Sequence, residues 1–279
     1  MKLYKKGGKV FIEHDGLFYV SEMDWDTLVD HQHLYQHLVK QLPGFQKTQS
    51  MDVEGDWDAP IGSQELWAAG VTYLRSKEAR EKESAQSGGG SFYDKVYDAK
   101  RPELFFKSLS HRLAGNNSIV HIRRDSNWDV PEPELTLFVS SAGTIEGYTV
   151  GNDMSSRSIE GENPLYLAQA KVYDRCAALG PCLLVPENAI DIQSLIHLKI
   201  FRDNQLVFEG ETSLSKMKRS LQELADFLFL ETTFSKGVML MTGTGIVPPD
   251  DFTLQVKDRV EISIDHIGTL INHVQKINR

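Results

Sequence analysis

From residue 117 onward the chain repeats one device: short apolar runs rich in Val, Ile, Leu and Thr, bounded by clusters of Gly, Pro and Asn. "SIVHI", "LTLFV", "TIEGYTV", "IHLKIF", "QLVFEG", "TLQVK" and "RVEISI" are all of this kind. Runs of this length and β-branched content form strands, so a β-dominated body is expected from there onward. One clear helix interrupts the strands, "SLQELADFLFLETTF", with Ser220 as its N-cap and Gly237 closing the segment after it.

The first 40 or so residues read as a small α+β unit. Strands are expected at "KVFIE" and "LFYVS", followed by a helical pattern through "WDTLVDHQHLYQHLVKQL" that Pro43 and Gly44 end. The acidic stretch "DVEGDWDAPIG" has the composition of a connecting loop. A second helical pattern is expected in "SQELWAAGVTYLRSKEAREKESAQ", running into "SGGGS", a loop flexible enough to serve as a lid. These signals predict a mainly β member of the α+β class, with a small N-terminal domain and linker over residues 1–62 and a larger domain over 63–279.

Composition narrows the partners. The formal charge is −9 and no long Lys/Arg run occurs, which argues against nucleic acid or an anionic membrane. No stretch approaches a membrane span, and no signal-peptide core follows the basic start "MKLYKKGGKV", so a cytoplasmic protein is expected. Cys176 and Cys182 make neither a disulfide framework nor a zinc motif and read as reduced thiols.

The segment "VPEPELTL" concentrates chemistry. Glu132 and Glu134 lie two apart, so on a strand their carboxylates project from one face. A proline precedes each, which points to an edge strand or a bulge. "SSAG" then turns the chain back and brings Asp153 near the position opposite Glu132. An isolated Glu-x-Glu is ordinarily a solvated strand face. A third carboxylate returning to the pair instead predicts a site for a hard divalent cation, magnesium, manganese or calcium, held by Glu132, Glu134 and Asp153.

The motifs "WAAGVTY", "PELFFK", "PEPEL", "GYTVGNDMSSR", "AKVYDRCAALGP" and "LMTGTGIVPP", in this order, resemble the fumarylacetoacetate hydrolase superfamily from about Trp67 to Ile264. The resemblance implies a β-roll or sandwich, usually dimeric, and identifies Glu132, Glu134 and Asp153 as the metal ligands. Within the superfamily, "RSIEGENPLYLAQAKVYDRCAALGP" is similar to the branch that dehydrates 2-keto-3-deoxy sugar acids such as 2-keto-3-deoxy-arabinonate, whose product is 2-oxoglutarate semialdehyde. A departure points the same way: where carbon–carbon hydrolases of the superfamily carry a His and a Glu that activate water, "GVTYLRSKEAR" has Ser76 at the His position and Glu78 out of register.

A 2-keto acid offers a carboxylate and a ketone oxygen to a metal, and polarising the ketone acidifies the C3 protons. One or two acid–base groups are then expected nearby. Lys171 resembles the superfamily's active-site lysine, able to hold the substrate carboxylate or move protons; its plain alternative is a surface pair with Asp174. Glu103 matches a glutamate of the dehydratase branch that acts on the leaving hydroxyl, its alternative being an ion pair with Lys107. Thr244 in "TGTG" is expected to offer its hydroxyl to a substrate carboxylate, unless the glycines simply make a tight turn. Arg75 and Arg157 are each able to contact an anionic substrate, but arginines on exposed loops are ordinary and neither is taken as catalytic; His31, His33 and His37 read as a solvated helix face. A homodimer or homotetramer acting on a small anionic 2-keto acid is expected. An acylpyruvate-type hydrolase and a silent metal- and ligand-binding protein are the alternatives.

Overall fold

Period-two alternation builds this molecule. In a computed structural model, which describes residues 1–49, 51–83 and 95–277, the strands are β1 (Lys2–Lys6), β2 (Lys9–His14), β3 (Leu17–Ser21), β4 (Gln46–Thr48), β5 (Glu65–Gly70), β6 (Glu103–Leu109), β7 (Leu113–Ala114), β8 (Ser118–Ile122), β9 (Asp129–Val139), β10 (Ile145–Ser156), β11 (Ala177–Leu184), β12 (Leu195–Arg202), β13 (Gln205–Ser213), β14 (Val238–Met241), β15 (Arg259–Ile264) and β16 (Gly268–Lys276). The helices used below are α1 (Trp25–Val29), α2 (Leu34–Gln41), α3 (Leu74–Glu83), α4 (Arg157–Glu162), α5 (Leu167–Lys171) and α6 (Leu221–Phe229).

An 11-stranded sheet runs β4, β3, β2, β1, β11, β10, β9, β14, β5, β6, with β7 beside β11, and a 5-stranded sheet runs β13, β12, β15, β16, β8. One core lies between the sheets. Leu135, Leu137 and Val139 of β9 meet Ile196, Leu198 and Ile200 of β12 and Val260, Ile262 and Ile264 of β15, each series at every second residue. Burying one such side chain contributes about 1.5–3 kcal/mol. The intervening residues serve the other face of the large sheet, where Phe138, Leu66 and Met239 pack with Leu28, Val29, Leu34 and Leu38 of α1 and α2. Residues 1–62 thus share a sheet and a core with the rest: β1 pairs with β11 at Lys2↔Leu184 and Leu3↔Leu183, and Trp57 of the acidic connecting stretch is buried against Tyr4.

Several local expectations are corrected. The helical pattern before Pro43 splits into α1 and α2, because tertiary contacts at the break outweigh periodicity. Asp30 accepts the Ser141 N–H at 2.7 Å, and His33 turns left-handed at φ 53°. There Glu146 accepts the His33 and Leu34 N–H groups at 3.2 and 2.9 Å, capping α2 from across the fold. Glu146→Ala is expected to lower stability by about 1 kcal/mol, the usual worth of a cap, read as a lower midpoint in urea. "ELWAAG" is a strand, not the start of a helix, because it pairs on both sides, with β14 and with β6; the helix α3 begins only at Leu74. The "SGGGS" segment expected as a lid lies outside the described residues.

Where the prolines fall, β9 has, among the described residues, a neighbouring strand on one side only, as an edge does, although it is not exposed. All eleven residues of β9 are buried and pair with β10. Opposite Pro131, Met154 sends its N–H away to Cys176 O at 3.0 Å. The Pro131–Met154 pair is therefore a non-hydrogen-bonded one, and alternation makes Pro133–Asn152 another. On the far side β14 pairs only with Thr136–Val139, so neither proline removes a ladder bond from that strand.

Candidate active site

The register of β9 and β10 assembles the acidic cluster. Asp153 lies directly opposite Glu132, on the face that Glu134 shares. One carboxylate oxygen from each of Glu132, Glu134 and Asp153 lies within 4.8 Å of the others. The three residues are 4%, 2% and 1% exposed. They line a narrow cavity of about 10 Å³, room for about one water, together with Gly70, Ser76, Phe105, Arg157, Lys171 and Thr244.

Three cations balance the carboxylates. Lys171, the last residue of α5, is 1% exposed, so it is not a surface partner of Asp174. Its ammonium donates to Glu132 Oε2, to Asp153 Oδ2 at 3.0 Å and to Ser155 Oγ at 2.5 Å. Arg157, read from sequence as an exposed loop residue, is 2% exposed and donates to Glu132 Oε1 at 2.5 Å. Lys107 of β6 is fully buried and pairs with Asp153 Oδ1 at 2.5 Å.

Charge and burial separate the carboxyls. Burial would raise Asp153, but the ammonium groups of Lys107 and Lys171 outweigh it and hold that carboxyl below its usual range. Glu134 goes the other way: burial, then the charges of Asp153 and Glu132, push it well above the usual range, against which the Gly243 N–H at 2.7 Å and Lys171 act. An oxygen-only donor set whose members repel one another is what a hard divalent cation relieves, so these residues fit magnesium, manganese or calcium.

The remaining candidates are dispersed around this centre. Glu103 opens β6 opposite Gly70, and its carboxylate fills the place a Cβ on Gly70 would occupy. Thr244 lines the cavity while its hydroxyl donates to Ile246 O at 3.1 Å and accepts the Ile246 N–H at 3.2 Å. Ser76 Oγ donates to Tyr73 O at 2.7 Å. Arg75 and Glu78 are exposed and pair with each other at 3.6 Å, so in the stretch Ser76 to Glu78 it is Ser76 that reaches the cavity. The rings of His31 and His37 stack at 3.7 Å, away from the carboxylates. The sequence points to Lys107 only as a partner of Glu103, not of Asp153, and to Arg157 as exposed rather than buried. A lone lysine inside "ELFFKSL" was the signal for the first; the second had none.

On the opposite face of β9, Asp129 is pushed up to about 6 by burial. A carboxyl raised in the folded state favours folding below its unfolded value of 3.8, and that contribution is lost as pH rises through 6. Asp129→Asn is therefore expected to stabilise the protein at pH 8, by up to about 3 kcal/mol, with most of that gain gone at pH 4. Thermal melts of both proteins at the two pH values test it; an equal shift at both contradicts it.

Fold and site together define a mainly β protein with a buried carboxylate triad suited to a hard cation. The chain belongs to the fumarylacetoacetate hydrolase family: residues 68–275 match the family described as "Fumarylacetoacetate (FAA) hydrolase C-terminal". A Haloferax volcanii protein described as "Probable 2-keto-3-deoxyxylonate dehydratase" is 48% identical over 219 residues, 78% of this chain and 74% of that protein. The 2-dehydro-3-deoxy-D-arabinonate dehydratase of Saccharolobus solfataricus is 42% identical over the same shares. Among solved structures, a 2-keto-3-deoxy-D-arabinonate dehydratase complexed with magnesium and 2,5-dioxopentanoate superposes with a TM-score of 0.86 at 33% identity, covering 100% of both chains.

Proposed function

We propose that this protein is a magnesium-dependent dehydratase of 2-keto-3-deoxy sugar acids, converting 2-keto-3-deoxy-arabinonate or a stereoisomer to 2,5-dioxopentanoate (2-oxoglutarate semialdehyde). The observation that carries this is the joining of three carboxylates and Lys171 in one buried cavity, in a chain 48% and 42% identical to two proteins described as dehydratases of this class. Glu132, Glu134 and Asp153 would hold the magnesium ion, with manganese or calcium able to replace it. When bound, the ion supplies Lewis-acid polarisation of the substrate's 2-keto group.

The chain's own residues do the rest. Arg157, buried in the cavity wall, orients the substrate through its carboxylate, since a guanidinium matches that group's planar geometry. Lys171 bears on the ketone oxygen, where negative charge grows as the C3 proton leaves; a fixed cation in a dry site stabilises that charge more than water does. Glu103, as a carboxylate, takes the C3 proton and returns it to the C4 hydroxyl as the C4–O bond breaks, so one water departs; the C3–C4 enone left behind tautomerises, losing a proton from C5 and regaining one at C3, through the enol to the 5-aldehyde. Thr244 closes the substrate end of the cavity. We further assign the protein to the cytoplasm and to a homodimeric or homotetrameric assembly, which light scattering on the eluting protein tests.

The purified protein, refilled with magnesium, is offered 2-keto-3-deoxy-pentonates epimeric at C4 and, separately, acylpyruvates, with products identified by mass. Loss of one water from a pentonate is expected. Cleavage of an acylpyruvate to pyruvate and an acid would replace this function with carbon–carbon hydrolysis.

A further inference from the structure

Lys107 has a geometry that no catalytic acid or base needs. Its ammonium donates to Met154 O at 3.0 Å and Lys171 O at 2.5 Å and forms an ion pair with Asp153 Oδ1 at 2.5 Å, all inside the protein. The side chain is fully buried, and every one of those partners belongs to Asp153, to its neighbour or to Lys171. Lys107 therefore joins two segments of the site, β10 through Asp153 and Met154 and the end of α5 through the Lys171 carbonyl.

The backbone is shaped for this. In the ladder between β5 and β6, Leu66 faces Ser108 and Trp67 faces Phe106, so Lys107 is an extra residue with no partner opposite. Such a bulge re-aims a side chain. Here Lys107 and Ser108, consecutive in the strand, are both buried. The Tyr173 ring, 5.8 Å from the ammonium, adds a further wall.

Resting on the function proposed above, we infer that Lys107 is a positioning residue for the dehydration. By gripping the Asp153 carboxylate and the Lys171 carbonyl at once, it sets the 3.0 Å approach of Lys171 Nζ to Asp153 Oδ2 and leaves that carboxylate one fixed orientation toward a divalent ion. A residue with only a structural role would lower stability and leave the folded protein's kinetics intact.

The test compares wild type with Lys107→Met and Lys107→Arg at a temperature where circular dichroism finds each folded. Two quantities are read: Mn²⁺ affinity by titration of the chelator-stripped protein, and kcat and KM at saturating magnesium. Groups that orient metal ligands typically carry about 10–100-fold in affinity or activity. Lys107→Met is expected to bind Mn²⁺ about tenfold more weakly. Its kcat is expected to fall about 10–100-fold with KM moved by less than about threefold. Lys107→Arg, which keeps the charge but not the three-way grip, recovers part of the metal affinity and less of kcat. Wild-type kcat and Mn²⁺ affinity in folded Lys107→Met overturn the inference. If that variant does not fold, a wild-type kcat in Lys107→Arg overturns it instead. Wild type that binds Mn²⁺ yet dehydrates no 2-keto-3-deoxy acid overturns the proposed function itself, while the metal titration still reports on Lys107.

Discussion

Glu134→Gln is expected to remove metal-dependent turnover and leave the fold in place. The loss in kcat/KM should exceed about 10²-fold, because changes one shell beyond a metal ligand already cost about 10–100-fold. The amide keeps the side chain's shape, and its carbonyl oxygen still accepts the Gly243 N–H, which in the wild type lies 2.7 Å from Glu134 Oε2. Stability should hold or rise in the metal-free protein. Burial, then Asp153 and Glu132, raise this carboxyl in the folded state, so its contribution is favourable at low pH and is lost as pH rises through the raised value. Glutamine removes that loss, and the variant's advantage should grow with pH. Melting curves and Mg²⁺-dependent rates measure both effects; a variant with wild-type rates would remove the metal-site assignment.

Lys171→Met should separate chemistry from stability. A cation placed against developing enolate charge, or moving a proton there, accounts for about 10²–10⁴-fold in rate, so kcat is expected to fall by that factor. The substitution also withdraws an ammonium from Glu132 and Asp153, both buried. Breaking a buried pair by removing one partner costs about 3–5 kcal/mol, which should appear as a lower melting temperature in chelator. Magnesium should recover much of that stability, since a ligand that binds only the folded state stabilises it, but should not recover kcat. A kcat within about threefold of wild type would strip Lys171 of its catalytic role.

The acidic cluster could be seen in the sequence because its geometry is local. Glu132 and Glu134 follow the two-residue period of a strand, and Asp153 returns across a hairpin whose turn, "SSAG", is visible in the residues; Gly143 there adopts φ 79°. The strand-rich body and the Ser220 cap of α6, which accepts the Glu223 N–H at 3.1 Å, were legible for the same reason. What escaped depends on partners distant in sequence. The break between α1 and α2 is set by Asp30 and Glu146 reaching across more than a hundred residues. The strand nature of "ELWAAG" comes from its two neighbours in the sheet. Lys107 points into the site because of a one-residue bulge, which no periodic pattern encodes, and Arg157 is buried by the fold around "DMSSR", not by its own neighbours in the chain.

The central claim is that this carboxylate cluster works on a 2-keto-3-deoxy acid through a divalent ion. Its most direct test is the rate of water loss from 2-keto-3-deoxy-arabinonate by chelator-stripped protein as magnesium is added back, with the product identified by mass. Turnover that is absent without the ion and rises to saturation with it, yielding 2,5-dioxopentanoate, is the expected result. Water loss at the same rate in chelator as in magnesium would contradict the claim.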